Sequence, residues 1–421
     1  MADAPPLTEA FYREWFAKQT VFLTGATGGL GGCLLFKLLH QVPVKKVFLL
    51  HRSSEKDTIA KLGKNMPGCI DQVMRTDQLE FLKGDITAAN LGLDVRQLSI
   101  LRKETTVILN AAANTSFIAD VHESCKDNCL PALDLAQLAL SFPQLATFVQ
   151  VSSAYANSFL PDGEITETIQ PFGEDDIDCE RELDEILSSR GNTSWTKQWA
   201  WPYAQAKYLM ERLLFQRYGS RLPLLILLPS AIGPALQDPY PLFGPAGSNP
   251  VETALGSYLA TGGGSRVWRA ASGSTSGNYI LDGIPVDFVS NVCLLHVAQG
   301  SQGIIHAAAQ LYVVLTMDEL MALASPHIPP DLAVPAPCFK WDVSGSMEPC
   351  PVATTFGFQG RNWIFDCRRS KSLRAVGGPL SLSLDGHDAK AYIKGRIEKI
   401  IPSTRATKKR VAARRRGMSK L

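Results

Sequence analysis

The sequence predicts an α/β fold: a doubly wound parallel sheet with a smaller C-terminal lobe. Three observations lead there. Short apolar runs bounded by turns recur at residues 21–23, 46–50, 79–82, 106–109, 147–151 and 223–228. Helix-like segments separate most of them, the clearest being 34–39, 124–140 and 204–218. After Pro229 the beat stops, and the texture turns to Gly, Pro and Ser, as in GPAGSNP and TGGGS. Apolar strands alternating with helices imply βα units, because parallel neighbours need a crossover long enough to hold a helix.

The first unit carries the most chemistry. The strand VFL runs straight into Thr24-Gly25-Ala26-Thr27-Gly28-Gly29-Leu30-Gly31 and then into the helical GCLLFKLL. Glycines at 25, 28 and 31 let the backbone turn sharply and approach a pyrophosphate, and the helix start offers N–H groups and positive potential. This is a Rossmann-type dinucleotide site, expected to use Thr24, Gly25, Thr27, Gly28, Gly29, Leu30 and Gly31. The second strand ends in His51-Arg52 rather than an acid. An arginine can fork onto a ribose 2′-phosphate that a carboxylate would repel, so NADPH is expected over NADH. Asp85 and Ile86 after the third strand are expected near the adenine. Ala111, Ala112 and Ala113 after the fourth are expected near the nicotinamide ribose.

Tyr203 and Lys207 stand four residues apart, on one face of a helix. A free phenol titrates at about 10, and a neighbouring ammonium is expected to stabilise its phenolate and bring it into a useful range for proton transfer. Ser152-Ser153 closes an apolar strand upstream. Ser153 is the expected holder of a substrate carbonyl oxygen, with Ser152 and Tyr155 as competitors. Asn128 is a candidate to hold a water or a backbone group near Lys207. Pro229 and Ile232, after the sixth strand, complete the expected cofactor contacts. Residues 1–235 are expected to form the NADP(H)-binding domain, with 284–300 returning to it as an amphipathic helix. Residues 236–400 form the substrate-binding lobe, and 401–421 a basic flexible tail.

Segments 161–187 and 405–421 are set apart by charge. The first holds eleven acids and one Arg, and reads as a surface flap. The second holds eight of the 42 basic residues and no acid, leaving 34 against 40 acids elsewhere. The body is therefore mildly acidic despite a formal net charge of +2. The nine cysteines lack paired metal-ligand spacing, which argues for free thiols and no metal. No run is long enough to span a bilayer, and the N-terminus lacks a secretory layout.

Further segments carry a resemblance. AANTSF, DNCLPALDLAQLA, VSSAYAN, LPSAIGPALQDPYP and IPVDFVSN resemble the motifs of fatty acyl-CoA reductases, within the extended short-chain dehydrogenases/reductases, and less closely those of thioester-reductase domains. The likeness covers about residues 21–299, with a fainter echo in WIFDCRRSKSLRAV and SLDGHDAKAYI. Asn110 stands where the family usually has His, and Ser where Thr is frequent. The resemblance implies NADPH-dependent reduction of an acyl thioester, delivered on CoA or a carrier protein, to aldehyde and then alcohol if a second hydride follows. The rival reading is an extended dehydrogenase acting on a sterol-like or sugar ketone. A dinucleotide-sensing regulator using its basic tail on nucleic acid is disfavoured, having no need of the Tyr/Lys pair.

Ser419-Lys420-Leu421 matches the tripeptide read by the peroxisomal import receptor at an exposed C-terminus. A peroxisomal matrix location is expected, with the cytoplasm as the alternative.

Overall fold

The computed structural model describes residues 7–173, 177–261, 267–333, 340–355 and 360–418. Seven strands build one sheet: β1 (Thr20–Thr24), β2 (Lys46–His51), β3 (Leu79–Lys83), β4 (Val107–Asn110), β5 (Thr147–Val151), β6 (Leu224–Pro229) and β7 (Gly303–Ala307). All neighbours are parallel, in the order β7-β6-β5-β4-β1-β2-β3. The order reverses between β1 and β4. Helices leaving these two strands cover opposite faces, which opens a crevice at the carboxyl ends of the strands. Every residue of β1 and of β6 is buried, because helices cover both faces and erase polar alternation.

The helices used below are α1 (Gly29–Phe36), α2 (Leu130–Ala139), α3 (Pro202–Tyr218), α4 (Pro250–Thr261), α5 (Val286–Ala298), α6 (Met317–Ala324) and α7 (Ala389–Met418). Helix α3 starts on Pro202, whose fixed φ and missing N–H suit a first helical turn. Most of its circumference is buried. It can be so only because its charges are compensated: Arg212 Nη1 lies 3.1 Å from Glu182 Oε2, both almost unexposed. Helix α5, buried along its length, packs on α1.

Several expectations are corrected. The chain's return to the sheet does not stop at 300, since β7 pairs with β6 from Gly303↔Leu225 to Ala307↔Pro229. The helix expected over 124–140 is divided by a wide turn at Cys125–Cys129; Pro131 lacks the N–H that an unbroken helix needs there. The acidic 161–187 segment lies at the surface, with most of its described residues exposed or half-buried, and it is anchored to the body. Its Gly163–Ile165 pairs with Trp363–Phe365, and helix Cys179–Ser189 buries Glu182, Leu183 and Ile186. The buried Glu182 is tolerated because it meets Arg212 and accepts a hydrogen bond from Gln205 Nε2 at 2.9 Å.

The tail expected to be flexible from 401 continues α7 through to Met418. Arg405 pairs with Asp331 at 2.8 Å, and α7 packs along α4. Ser419, Lys420 and Leu421 lie outside the described residues. Among the described residues no helix is long and apolar enough to cross a membrane.

Candidate active site

Register decides what meets at the crevice. Thr24 pairs with Asn110, and Asn110 with Gln150, so the last residues of β1 and β4 and the next-to-last of β5 lie side by side. Their polar side chains zip together in the interior: Thr24 Oγ1 donates to Asn110 Oδ1 at 2.6 Å, and Asn110 Nδ2 donates to Gln150 Oε1 at 2.7 Å. Thr24 Oγ1 also accepts from Ala112 N at 3.1 Å. A neutral amide at 110 thus ties three strand ends together without a buried charge.

A cavity of about 550 Å³ opens there. Its wall joins Gly25, Gly28, Gly29, Leu30 and Gly31 to Ala111 and Ala113, and these to Ser153, Tyr203, Lys207, Pro229 and Ile232. The structure therefore brings both expected motifs, some 175 residues apart, to one place. It leaves Thr24, Thr27, Arg52, Asp85, Ile86 and Ala112 off that wall. Thr27 is fixed through its carbonyl, which accepts from Asn65 Nδ2 at 2.8 Å. Arg52 is exposed just beyond β2. Asp85 closes its own turn by accepting from Thr87 N and Oγ1. Burial opposes its charge, yet those bonds and Arg52 hold it below the usual carboxylate value. Ile86 packs half-buried on the core.

The glycine loop has the shape a pyrophosphate needs. Gly25 has φ +74°, and a Cβ there would lie 2.7 Å from the backbone of Ala111. At Gly31 a Cβ would lie 2.2 Å from the Gly25 carbonyl oxygen, so only glycine lets α1 approach β1 this closely. Gly28 caps α1 with no side chain over its first turn, leaving those N–H groups toward the cavity. The residues present fit a dinucleotide.

Helix α3 carries Tyr203, Lys207 and Glu211 at successive turns, all buried, and the first two line the cavity. Lys207 Nζ donates to the Val151 carbonyl at 3.1 Å and sits 5.7 Å from the centre of the Tyr203 ring. The expected acidification of Tyr203 is corrected: burial pushes its phenol up, and the nearby Glu211 adds to the effect. Burial draws Lys207 down to about 8, although Glu211 pulls the other way. Glu211 itself is pushed up to about 8 by burial, against a hydrogen bond from Ser152 and the charge of Lys207. At Lys207 and Glu211 desolvation outweighs the attraction between their charges, because both groups are buried.

Glu211 also sorts the hydroxyls. Ser152 Oγ donates to Glu211 Oε1 and is thereby committed. The phenol of Tyr155 donates to the Asp282 carbonyl at 3.4 Å. Ser153 Oγ accepts from Tyr155 N at 3.3 Å and keeps its own proton to donate into the cavity. Asn128 holds a backbone group: it accepts from Asn114 N and donates to Asn114 O, bracing the loop after β4. That loop carries Phe117, which stacks on Trp201 at 4.7 Å and meets Tyr203 edge-on at 6.1 Å. Sequence reading missed Glu211 and this aromatic wall. A third polar residue on the Tyr/Lys face, four beyond Lys207, was the available signal for the first.

A family model for an NAD-binding domain, described as male sterility protein, matches residues 23–293. The chain belongs to the male sterility protein family. Among relatives of this family member is human "Fatty acyl-CoA reductase 1", 28% identical over 302 residues, covering 67% of this chain and 55% of that protein. The "Alcohol-forming fatty acyl-CoA reductase" of Simmondsia chinensis is 29% identical over 269 residues, covering 54% of each. The chain thus spans about half the length of the curated relatives it matches. Its fold is that of the terminal R domain from the myxalamid PKS-NRPS pathway, with TM-score 0.62, 19% identity and coverage of 92% and 91%. The reductase domain of a nonribosomal peptide synthetase from Mycobacterium tuberculosis superposes equally well, with TM-score 0.62, 18% identity and coverage of 94% and 96%. The male sterility protein domain here is therefore an NAD(P)-binding domain with a Rossmann-type fold.

Proposed function

We propose that this chain is an NADPH-dependent reductase of acyl thioesters. One observation carries the reading: a single cavity joins the glycine loop to Ser153, Tyr203 and Lys207. Membership of the male sterility protein family and relatives named fatty acyl-CoA reductases support it.

Gly25, Gly28, Gly29, Leu30 and Gly31 would hold the pyrophosphate, with Thr24 and Thr27 bracing their loop. Ala111, Ala112, Ala113, Pro229 and Ile232 would flank the nicotinamide half, and Asp85 and Ile86 would lie toward the adenine. Exposed Arg52 is suited to a 2′-phosphate, which favours NADPH over NADH. When bound, that cofactor supplies a hydride to the thioester carbonyl carbon.

Ser153 and Tyr203 hydrogen-bond the carbonyl oxygen that gains negative charge. Burial keeps Tyr203 protonated, which suits a group that gives its proton to that oxygen. Lys207, anchored on Val151 O, stabilises the phenolate left behind, and Glu211 sustains the ammonium charge. The tetrahedral adduct then releases thiol and leaves an aldehyde.

The test is NADPH oxidation and free-CoA release across an acyl-CoA panel, for wild type and Tyr203→Phe. The reading expects stoichiometric thiol release and a fall of about a hundredfold or more in the variant. Oxidation of NADPH with a ketone and no thiol release would assign the chain to the ketone-reducing alternative instead. For a protein that ends at Leu421, Ser419-Lys420-Leu421 extends the reading to import into the peroxisomal matrix, rather than residence in the cytoplasm. A fluorescent protein bearing these three residues at its C-terminus should become punctate in cells, and punctae should vanish on deleting Leu421.

A further inference from the structure

Reducing a thioester to aldehyde and thiol consumes one proton overall. Tyr203 lends its proton to the carbonyl oxygen as hydride arrives and takes it back when the adduct collapses, so the leaving thiolate must find a proton elsewhere. A thiol titrates at about 8.5, and its thiolate departs faster when an acid meets it.

The cavity wall holds few hydroxyls, and most are already engaged. Ser152 is committed to Glu211. Ser248 donates to Pro245 O, Thr253 to Asn249 O and Ser257 to Thr253 O, each at 2.8 Å. Ser153 and Tyr203 serve the carbonyl oxygen, and Thr115 is exposed. Ser230 remains. It follows β6 directly and is buried on the same wall, and among the described residues its Oγ has no hydrogen-bond partner.

Asp282 lies beside it, just ahead of the short strand Gly283–Pro285 that pairs with Ala231–Gly233. Its carbonyl accepts from Ala231 N at 3.2 Å and from the Tyr155 phenol at 3.4 Å, and its Oδ1 accepts from Ala309 N at 2.7 Å. The segments after β5, β6 and β7 thus fix this residue from three sides. Its Oδ2 is buried and, among the described residues, unpartnered. Burial pushes the carboxyl up to about 6, while the nearby Ser230 hydroxyl and Ala309 N draw it down. A carboxyl oxygen deprived of both water and a donor is a place to hold a proton.

We propose that Asp282, acting through the Ser230 hydroxyl, protonates the departing thiolate. As the C–S bond of the adduct breaks, its electron pair goes to sulfur, Ser230 Oγ gives that sulfur its proton, and the Asp282 carboxyl replaces it. In the same step the adduct's O–H returns its proton to the Tyr203 phenolate as the carbonyl re-forms. The Asp282 carboxylate recovers a proton from water once the products leave, and that is the proton the overall reaction consumes. The inference rests on the acyl-thioester reading and gives it a second acid.

The test compares NADPH-dependent reduction of decanoyl-CoA with that of decanal, which has no leaving group. Ser230→Ala and Asp282→Asn should each lower the thioester-to-aldehyde rate ratio about tenfold, the modest end of acid catalysis because thiolates leave readily. Ser230→Ala leaves the Asp282 bonds to Ala231, Tyr155 and Ala309 in place, so it reads the chemistry even where Asp282→Asn fails to fold. Ser230→Thr, which restores a hydroxyl, should recover the ratio. With S-phenyl thiodecanoate, whose thiolate is a weaker base and leaves unaided, the variants should approach the wild-type ratio. A ratio unchanged in Ser230→Ala, or a deficit just as large with the phenyl ester, overturns the second acid. Wild-type protein that turns over decanal but no thioester sinks the acyl-thioester reading itself.

Discussion

The two walls of the cavity are built by different means. On the nucleotide side, Gly25 to Gly31 are contiguous, and β1 and α1 are joined directly by the loop they support. On the other side, Ser153, Tyr203, Pro229, Val251 and Val352 come from segments spread over about two hundred residues and meet only in the folded chain. The difference teaches where each kind of information resides. A glycine loop is a property of local backbone, readable from glycine spacing, whereas the facing wall is a shape left between distant elements.

The sharpest way to break that comparison is Gly31→Val. A Cβ there would lie 2.2 Å from the Gly25 carbonyl, so α1 must move off β1. The expected outcome is a loss of about 2 kcal/mol of stability by chemical denaturation. NADPH affinity, followed by nicotinamide fluorescence, should fall more than about tenfold. If the variant binds NADPH as tightly as wild type, the loop is not the phosphate cradle.

A smaller effect is expected at Arg52, which tests whether the nucleotide side also chooses its cofactor. Arg52→Ala should reduce the preference for NADPH over NADH about tenfold, the scale of one charged hydrogen bond, with NADH affinity little altered. Equal losses for both cofactors would place Arg52 outside the 2′-phosphate site.

The smallest expected effect is a shift in pH dependence at Glu211. Activity that needs cationic Lys207 should fall as pH rises through about 8. The carboxylate of Glu211 raises the lysine's value, so Glu211→Gln should let it drop and move the basic limb to lower pH, by about one unit. A limb that moves upward, or stays fixed while Lys207→Met abolishes it, would separate Glu211 from the lysine's protonation.

Much of the scaffold was legible in the sequence. Six of the seven strands were visible as apolar runs, and Tyr203, Lys207 and the glycine loop fall on one cavity as their spacing implied. The seventh strand, GIIHA, escaped because it follows the texture change and its His306 interrupts the apolar run; the ring is buried, with Nδ1 2.7 Å from the Asp366 carbonyl. The anchoring of the acidic segment was hidden for a related reason. The burial of its Glu182 depends on Arg212, some thirty residues away in the chain.

By itself the sequence determined the sheet, the dinucleotide loop and the helical face that carries Tyr203 and Lys207, because strand and helix periodicities and glycine geometry act between near neighbours. Only the tertiary structure decided that burial raises the Tyr203 phenol, that Ser152 rather than Ser153 is spent on Glu211, and that a basic tail continues as a helix. Those outcomes turn on which distant groups exclude water from a side chain or capture its hydrogen bonds, and desolvation is summed over space rather than along the chain.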